Sequence, residues 1–218
     1  MKLSDAKNKL DKLTGKKFSE ILLPVALENI KINKGKSGQI LENLLGMKLS
    51  NGNLDFEDGE LKTNKCDACG NSKETVAITQ ISSHIDNFIS NPPKKFEETH
   101  LYEKISNLLF VPVCKDGSPE NWFFMPSRHV DLSKNKELHR ILEEDYYSIC
   151  AQLRQQVESG DNLHTANGKF LQVRTKDSTD SSGNYHSIYS NIFNRIVSDK
   201  NRAFYFKKDF MSYLNTGG

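Results

Sequence analysis

The residues with the clearest chemistry lie in the run Leu54-Asp55-Phe56-Glu57-Asp58-Gly59-Glu60-Leu61-Lys62-Thr63, which contains the pattern Asp-x4-Glu-x-Lys. On a strand, residues i and i+2 point to one face, so Glu60 and Lys62 are expected side by side. Gly59 is expected to permit a tight turn that returns Asp55 to Glu60. Two carboxylates facing one point hold Mg²⁺ through oxygen ligands, with water completing the octahedron. An adjacent ammonium can orient or help deprotonate an attacking water and offset charge on a phosphorane-like transition state. These are the elements that phosphodiester hydrolysis requires. Glu42, upstream, is a further carboxylate for the same metal. The spacing alone is a weak signal among 28 acids and 30 bases, because an exposed hairpin with alternating charge produces it too.

Several elements must position these groups. Residues 4 to 13 and 17 to 29 read as helices, the second open to interruption at Pro24. A turn at 34 to 38 opens a helix from Gln39 to Leu45 that ends at Gly46. A short strand around Asn53 to Phe56, a turn at Asp58-Gly59 and a strand from Glu60 to Thr63 follow. A further strand covers Thr75 to Ile81, with Val76 and Ile78 alternating inward. Residues 100 to 106 fit helix or extended chain, and Leu108 to Val113 reads as a buried central strand. The segment 114 to 135 is rich in turn residues and marks the expected lobe boundary. A long helix, Asn135 to Val157, follows. Strands at Phe170 to Val173 and Ala203 to Lys207 flank a polar loop, 175 to 187, and a helix from Ser190 to Val197. The expected class is α+β, with a mixed sheet feeding a cleft.

Composition narrows the function classes. The chain has 218 residues, 36% hydrophobic and 27% charged, with a mean hydropathy of −0.61. That describes a globular protein rather than a disordered or membrane-spanning one. The polar N-terminal run lacks the apolar core of a signal peptide, so a cytoplasmic location is expected. Net charge is only +2, and bulk charge does not mark a nucleic-acid binder. Its distribution says more: residues 1–50 hold ten lysines against five acids, and residues 51–60 hold four acids and no base. A basic rim beside an acidic patch suits an enzyme gripping phosphates around a cation, although a solvated surface beside an acidic turn accounts for charge alone. Of the four cysteines, Cys66 and Cys69 form half a zinc knuckle. No second pair completes the site, so zinc is not expected and reduced thiols are.

Six blocks of sequence, in order, resemble the MutH family, which includes mismatch-repair strand-nicking enzymes and Sau-type restriction enzymes that cut at GATC. The first is Asn33 to Gly46 (Asn-Lys-Gly-Lys-Ser-Gly-Gln-Ile-Leu-Glu-Asn-Leu-Leu-Gly), followed by Asp55-Phe56 with Glu60-Leu61-Lys62-Thr63. Thr99-His100-Leu101-Tyr102-Glu103-Lys104 then leads into Leu109 to Val113, and Leu142-Glu143-Glu144-Asp145-Tyr146 comes next. The last two are Gly168 to Lys176 (Gly-Lys-Phe-Leu-Gln-Val-Arg-Thr-Lys) and Ala203 to Phe210 (Ala-Phe-Tyr-Phe-Lys-Lys-Asp-Phe). The blocks occur in the family's order, within a resemblance that runs over nearly the whole chain, from about residue 8 to residue 214.

The resemblance implies a restriction-endonuclease-like fold of the PD-(D/E)xK type, with two arms around duplex DNA. Residues 1–114 would form the arm with the nuclease site and 115–218 the arm that reads sequence. Glu42, Asp55 and Glu60 would be the acidic residues at Mg²⁺, Lys62 the catalytic lysine and Lys104 a second active-site lysine. Lys34 would lie close to DNA, Arg174 and Lys176 would belong to the loop that reads bases, and Tyr205 would sit near the adenine that carries a methyl mark. Chemistry accords with this: an arginine presents two donors to guanine O6 and N7. An ordinary surface arginine and a core tyrosine are the plainer alternatives. This chain departs from the nicking members in having Thr175 where they place proline, in a shorter Asp55–Glu60 spacing, and in the Cys66-x-x-Cys69 insert. The expectation is a type II restriction endonuclease acting at GATC, working beside a cognate DNA methyltransferase. The alternatives are a nickase switched on by MutL and a DNA-binding module with a vestigial site.

Overall fold

The structure, a computed structural model, describes residues 1–32, 37–47, 52–176, 179, 183 and 185–215. In chain order the elements are α1 (Leu3–Asp11), α2 (Phe18–Ile21), α3 (Pro24–Ile32), α4 (Ser37–Leu45), β1 (Glu60–Cys66), β2 (Val76–Gln80), α5 (Ile85–Ile89) and α6 (His100–Ile105). They continue with β3 (Asn107–Cys114), β4 (Phe123–Phe124), β5 (Arg128–Asp131), α7 (Lys136–Glu158), β6 (Ala166–Asn167), β7 (Leu171–Thr175), β8 (Ile188–Ser190), β9 (Arg195–Ser198), β10 (Arg202–Phe206) and α8 (Lys208–Asn215). The class is α+β with a mixed sheet, as expected. No helix among the described residues is long and apolar enough to cross a membrane.

Two compact units share the chain: residues 1–76, 104–132 and 211–218 form the first, and 77–103 with 133–210 the second. The boundary expected between 114 and 115 falls inside the first unit. The reason is strand pairing: after its loop the chain returns as β4 and β5, both antiparallel to β3.

In the first unit β3 is central, parallel to β1 on one edge and antiparallel to β4 and β5 on the other. Its residues Leu108 to Cys114 are all buried, which is why this stretch is continuously apolar. Leu3, Ala6 and Leu10 line one side of α1, and Leu41 and Leu45 one side of α4; they join Phe18, Leu61, Val111 and Phe124 in a single core. The expected helix over 17–29 is in fact two, because the chain is extended at Leu22 and Pro24 opens α3. Proline there lacks only an N–H that a first-turn residue does not use. Gly46 ends α4 in the left-handed region (φ +74), where Met47 N donates to Glu42 O.

In the second unit the sheet order is β2-β10-β7-β6. Leu171, Val173, Phe204 and Phe206 make its buried face. Phe88 of α5 meets both Phe204 (5.4 Å) and Tyr146 of α7 (6.2 Å), so these helices cover that face. Asn135 caps α7, its Oδ1 accepting from Leu138 N at 2.9 Å.

The expected helix from Ser190 to Val197 is absent. Here β8 and β9 form a hairpin whose burial alternates with period two, Ile188 and Ser190 inward and Tyr189 outward. Asp86 of α5 stabilises the turn by accepting from Ser190 Oγ and from the Asn191 backbone and side chain. A side-chain acceptor from elsewhere in the chain therefore overrides local helical spacing.

Candidate active site

Glu60 is the first residue of β1 and is 2% exposed. A buried carboxylate needs charged partners, and Glu60 has two. Lys62, two residues on along the same strand face, donates to Glu60 Oε1. Lys104, in the last turn of α6, donates to both Glu60 oxygens at 3.2 and 3.0 Å. The spacing in sequence anticipates the first lysine. Only the parallel pairing of β1 with β3 explains the second, since Lys104 precedes β3 directly and Glu60 lies opposite Leu108.

Asp55 also arrives at this position, though not on a strand. Residues 53–56 form bends, and the expected hairpin partner to β1 is absent. The two carboxylates take the backbone N–H groups that a ladder would use: Leu61 N donates to Asp55 Oδ2 (2.9 Å), and Asp55 N to Glu60 Oε2 (3.3 Å). Phe56 N closes the turn on Gly59 O at 2.9 Å. Gly59 is needed for a different reason than turn conformation, since its φ is not positive. A Cβ there would lie 2.5 Å from Asn107 O and 2.8 Å from the Leu3 side chain. Asn107 Nδ2 donates to Asp58 O, and Leu3 N donates to Asp58 Oδ1 (2.8 Å), so α1 and β3 clamp the loop that carries Asp55. Asn107 gave no signal in the sequence; its function is visible only once β3 lies beside β1.

Glu42 projects from α4 into the same electrostatic field. Burial pushes its carboxyl above the usual range, the negative charges of Asp55 and Glu60 add to that, and Lys62 opposes it. Asp55 lines an open cavity of about 450 Å³ with Met47, Leu54 and Phe56. Three acids and two lysines thus share one end of β1. Lys34 lies outside the described residues.

In the second unit, Arg174 of β7 and Tyr205 of β10 come together, with the guanidinium carbon 5.2 Å from the ring centroid. The register pairs Ala203 with Arg174 and Tyr205 with Gln172, so the two side chains are diagonal neighbours on one face. Arg174 is exposed and Tyr205 half-buried, on the face opposite Phe204; Tyr205 is therefore not a core residue. Lys176 follows the strand, its N–H donating to Asn201 O at 2.9 Å. Buried Asp145, which the sequence marks only as part of the block Leu142 to Tyr146, accepts from Lys169 N, Phe170 N and Leu171 N at 2.5, 2.6 and 2.8 Å and so sets the start of β7.

Cys66 and Cys69 do not share surroundings. Cys66 is buried opposite Cys114, and burial first, then Cys114 and Asp67, pushes its thiol up to about 12. Cys69 is exposed on a turn organised by Asp67, which accepts from Cys69 N and Asn71 N. Among the described residues, the His/Cys/Asp/Glu donors that lie within 4.8 Å of one another are Glu97, His139 and Glu143. There each imidazole nitrogen faces a different carboxylate, Nε2 to Glu97 at 3.4 Å and Nδ1 to Glu143 at 4.0 Å. That is an imidazole bridging two acids, whereas an ion takes a single nitrogen lone pair. The carboxylates of Glu42, Asp55 and Glu60 are more widely set, and Glu60 is held by its lysines.

No family model matches the chain, and no curated protein matches it either.

Proposed function

We propose that the chain is a Mg²⁺-dependent, site-specific endonuclease for duplex DNA, of the restriction-endonuclease-like PD-(D/E)xK class and similar to the MutH and Sau-type enzymes. The observation that carries this reading is the convergence of Glu42, Asp55, Glu60, Lys62 and Lys104 at one end of β1, from three separate stretches of sequence. Structural ion pairs match acids with bases. Here Glu42 is instead held at an energetic cost beside two other carboxylates, a surplus of negative charge that suits a hard cation with oxygen ligands. Glu42, Asp55 and Glu60 would hold Mg²⁺. When bound, the ion supplies Lewis-acid activation of the phosphodiester and of water.

The chain's own groups do the rest. Lys62 and Lys104 fix Glu60 in orientation and place ammonium charge where the phosphate's negative charge grows. Asp55 is held by its bond from Leu61 N and lines the open cavity. Arg174, steadied against Tyr205, offers its guanidinium to a guanine edge. GATC is the expected site, a double-strand cut the expected outcome, and a cognate methyltransferase the expected companion of such an enzyme.

The test is incubation with Mg²⁺ and supercoiled plasmid carrying GATC in unmethylated, hemimethylated and fully methylated form, with product ends sequenced. Linear fragments ending at GATC without a partner protein are expected. Slow nicking of the unmethylated strand that rises with MutL would replace restriction with mismatch repair. Absence of cleavage under Mg²⁺ and Mn²⁺, with specific binding intact, would leave only a binding module.

A further inference from the structure

The face of β7 and β10 that carries Arg174 and Tyr205 holds a third polar group, Gln172. It lies two residues before Arg174 on β7 and directly opposite Tyr205 on β10, so all three side chains leave the sheet on one side. The reverse side, with Leu171, Val173, Phe204 and Phe206, is the buried one. Gln172 is half-buried, and among the described residues its side-chain amide has no hydrogen-bond partner. Asn167 of β6 is its register neighbour on the other edge. An unpaired carboxamide on this face offers both its donor and its acceptor to a ligand.

We propose that Gln172 is a base-reading residue that contacts an adenine through N6 and N7, beside the guanine contact of Arg174. This rests on the reading of the chain as a DNA endonuclease. A carboxamide sets an acceptor and a donor side by side, the complement of adenine's N6 amino group and N7 in the major groove. A guanidinium sets two donors side by side, the complement of guanine O6 and N7. Along a strand, positions i and i+2 stand roughly 6.8 Å apart, which is about two base-pair steps. In GATC the guanine of one strand and the adenine of the other are two pairs apart, and both present these edges in the major groove. Tyr205, opposite Gln172 in the register, holds its ring against the Arg174 guanidinium beside them.

The test is equilibrium binding by fluorescence anisotropy with divalent metal chelated, so that nothing is cut. The probes are a duplex with the sequence defined by the mapped cleavage ends and the same duplex with 7-deazaadenine in place of each site adenine. Wild type is expected to bind the deaza duplex roughly ten-fold more weakly. Gln172→Met should bind the natural duplex with about the same loss and no longer distinguish the two. Gln172→Met that matches wild type on both duplexes, or still discriminates, overturns the inference. Should that variant melt below wild type, Gln172→Glu is used instead. A carboxylate only accepts, so adenine discrimination retained by Gln172→Glu overturns the inference equally. Wild type with no specific duplex binding would defeat the nuclease reading itself. Wild type that binds and cuts, with Gln172 variants unchanged, would defeat this inference alone.

Discussion

Glu42 states the electrostatic problem of the site in one residue. Its folded-state pKa is raised, first by burial and then by Asp55 and Glu60. For a raised carboxyl, the stabilising contribution is fully present below the unfolded value and is lost as pH rises through the folded one. Once ionised, Glu42 therefore carries an unfavourable charge in the metal-free protein. Glu42→Gln is expected to raise the melting temperature of metal-free protein at neutral pH by a few degrees at most, because the group is partly solvated. The gain should vanish in acid below the ordinary carboxylate range, where both forms are neutral. Added Mg²⁺ should then stabilise wild type more than the variant, by mass action on the folded state. Differential scanning fluorimetry across pH and Mg²⁺ concentration measures both. A wild type melting above the variant at neutral pH without metal would remove Glu42 from this field.

At the scale of elements, the strand that carries Arg174 depends on a helix residue far away in sequence. Asp145 of α7 is 5% exposed and takes three consecutive backbone N–H groups at the start of β7. Gly168 leaves the space that this requires, since a Cβ there would overlap the Asp145 carboxylate. Asp145→Ala is expected to cost on the order of 3 kcal/mol or more, because three donors lose their acceptor at a buried site. Asp145→Asn should recover only part, its amide N–H₂ pointing donor to donor. Urea unfolding midpoints measure both, and a cost below that of an ordinary surface substitution would show that β7 is set by its sheet partners alone. The same dependence on distant acceptors explains why helical spacing over 190–197 did not produce a helix. Asp86 holds the Ser190-Asn191 turn, and Asn194 adopts φ +48 there.

In the whole molecule, the residues proposed for hydrolysis, Glu42, Asp55, Glu60, Lys62 and Lys104, belong to one compact unit, and those proposed for reading, Arg174, Lys176 and Tyr205, to the other. Chemistry and reading should therefore separate in kinetics. Lys62→Ala is expected to lower the single-turnover cleavage rate by roughly 10²–10³-fold while duplex affinity stays near wild type. Arg174→Ala should weaken specific binding by about ten-fold or more and relax selection of guanine, with the rate at saturation largely kept. Single-turnover cleavage and anisotropy on the same duplex resolve the two, and equal loss of rate and affinity in both variants would argue against this division. With a net charge of only +2, the proposed duplex affinity would come from placed cations rather than from bulk attraction and should fall with salt.

Some of this was legible in the residues themselves. The i, i+2 relation of Glu60 and Lys62, the apolar run of β3, the long helix α7 and the Gly46 helix end follow from local periodicity and backbone preference, which act within a few residues. So did the α+β class. Local rules could not reach the rest. Lys104 joins Glu60 across 44 residues, and Asp55 arrives on a bend rather than a strand, with the Glu60 carboxylate taking its N–H and its own carboxylate taking that of Leu61. Gly59 is required by the approach of Asn107 and Leu3 rather than by its own torsion. Pairing of β7 with β10 brings Tyr205 against Arg174 across some thirty positions, and the division into units ignores chain order because β4 and β5 fold back onto β3. Periodicity and capping determine which segments are helix or strand. Which charges meet is decided by long-range pairing, since burying a carboxylate is tolerable only where the fold delivers its partners.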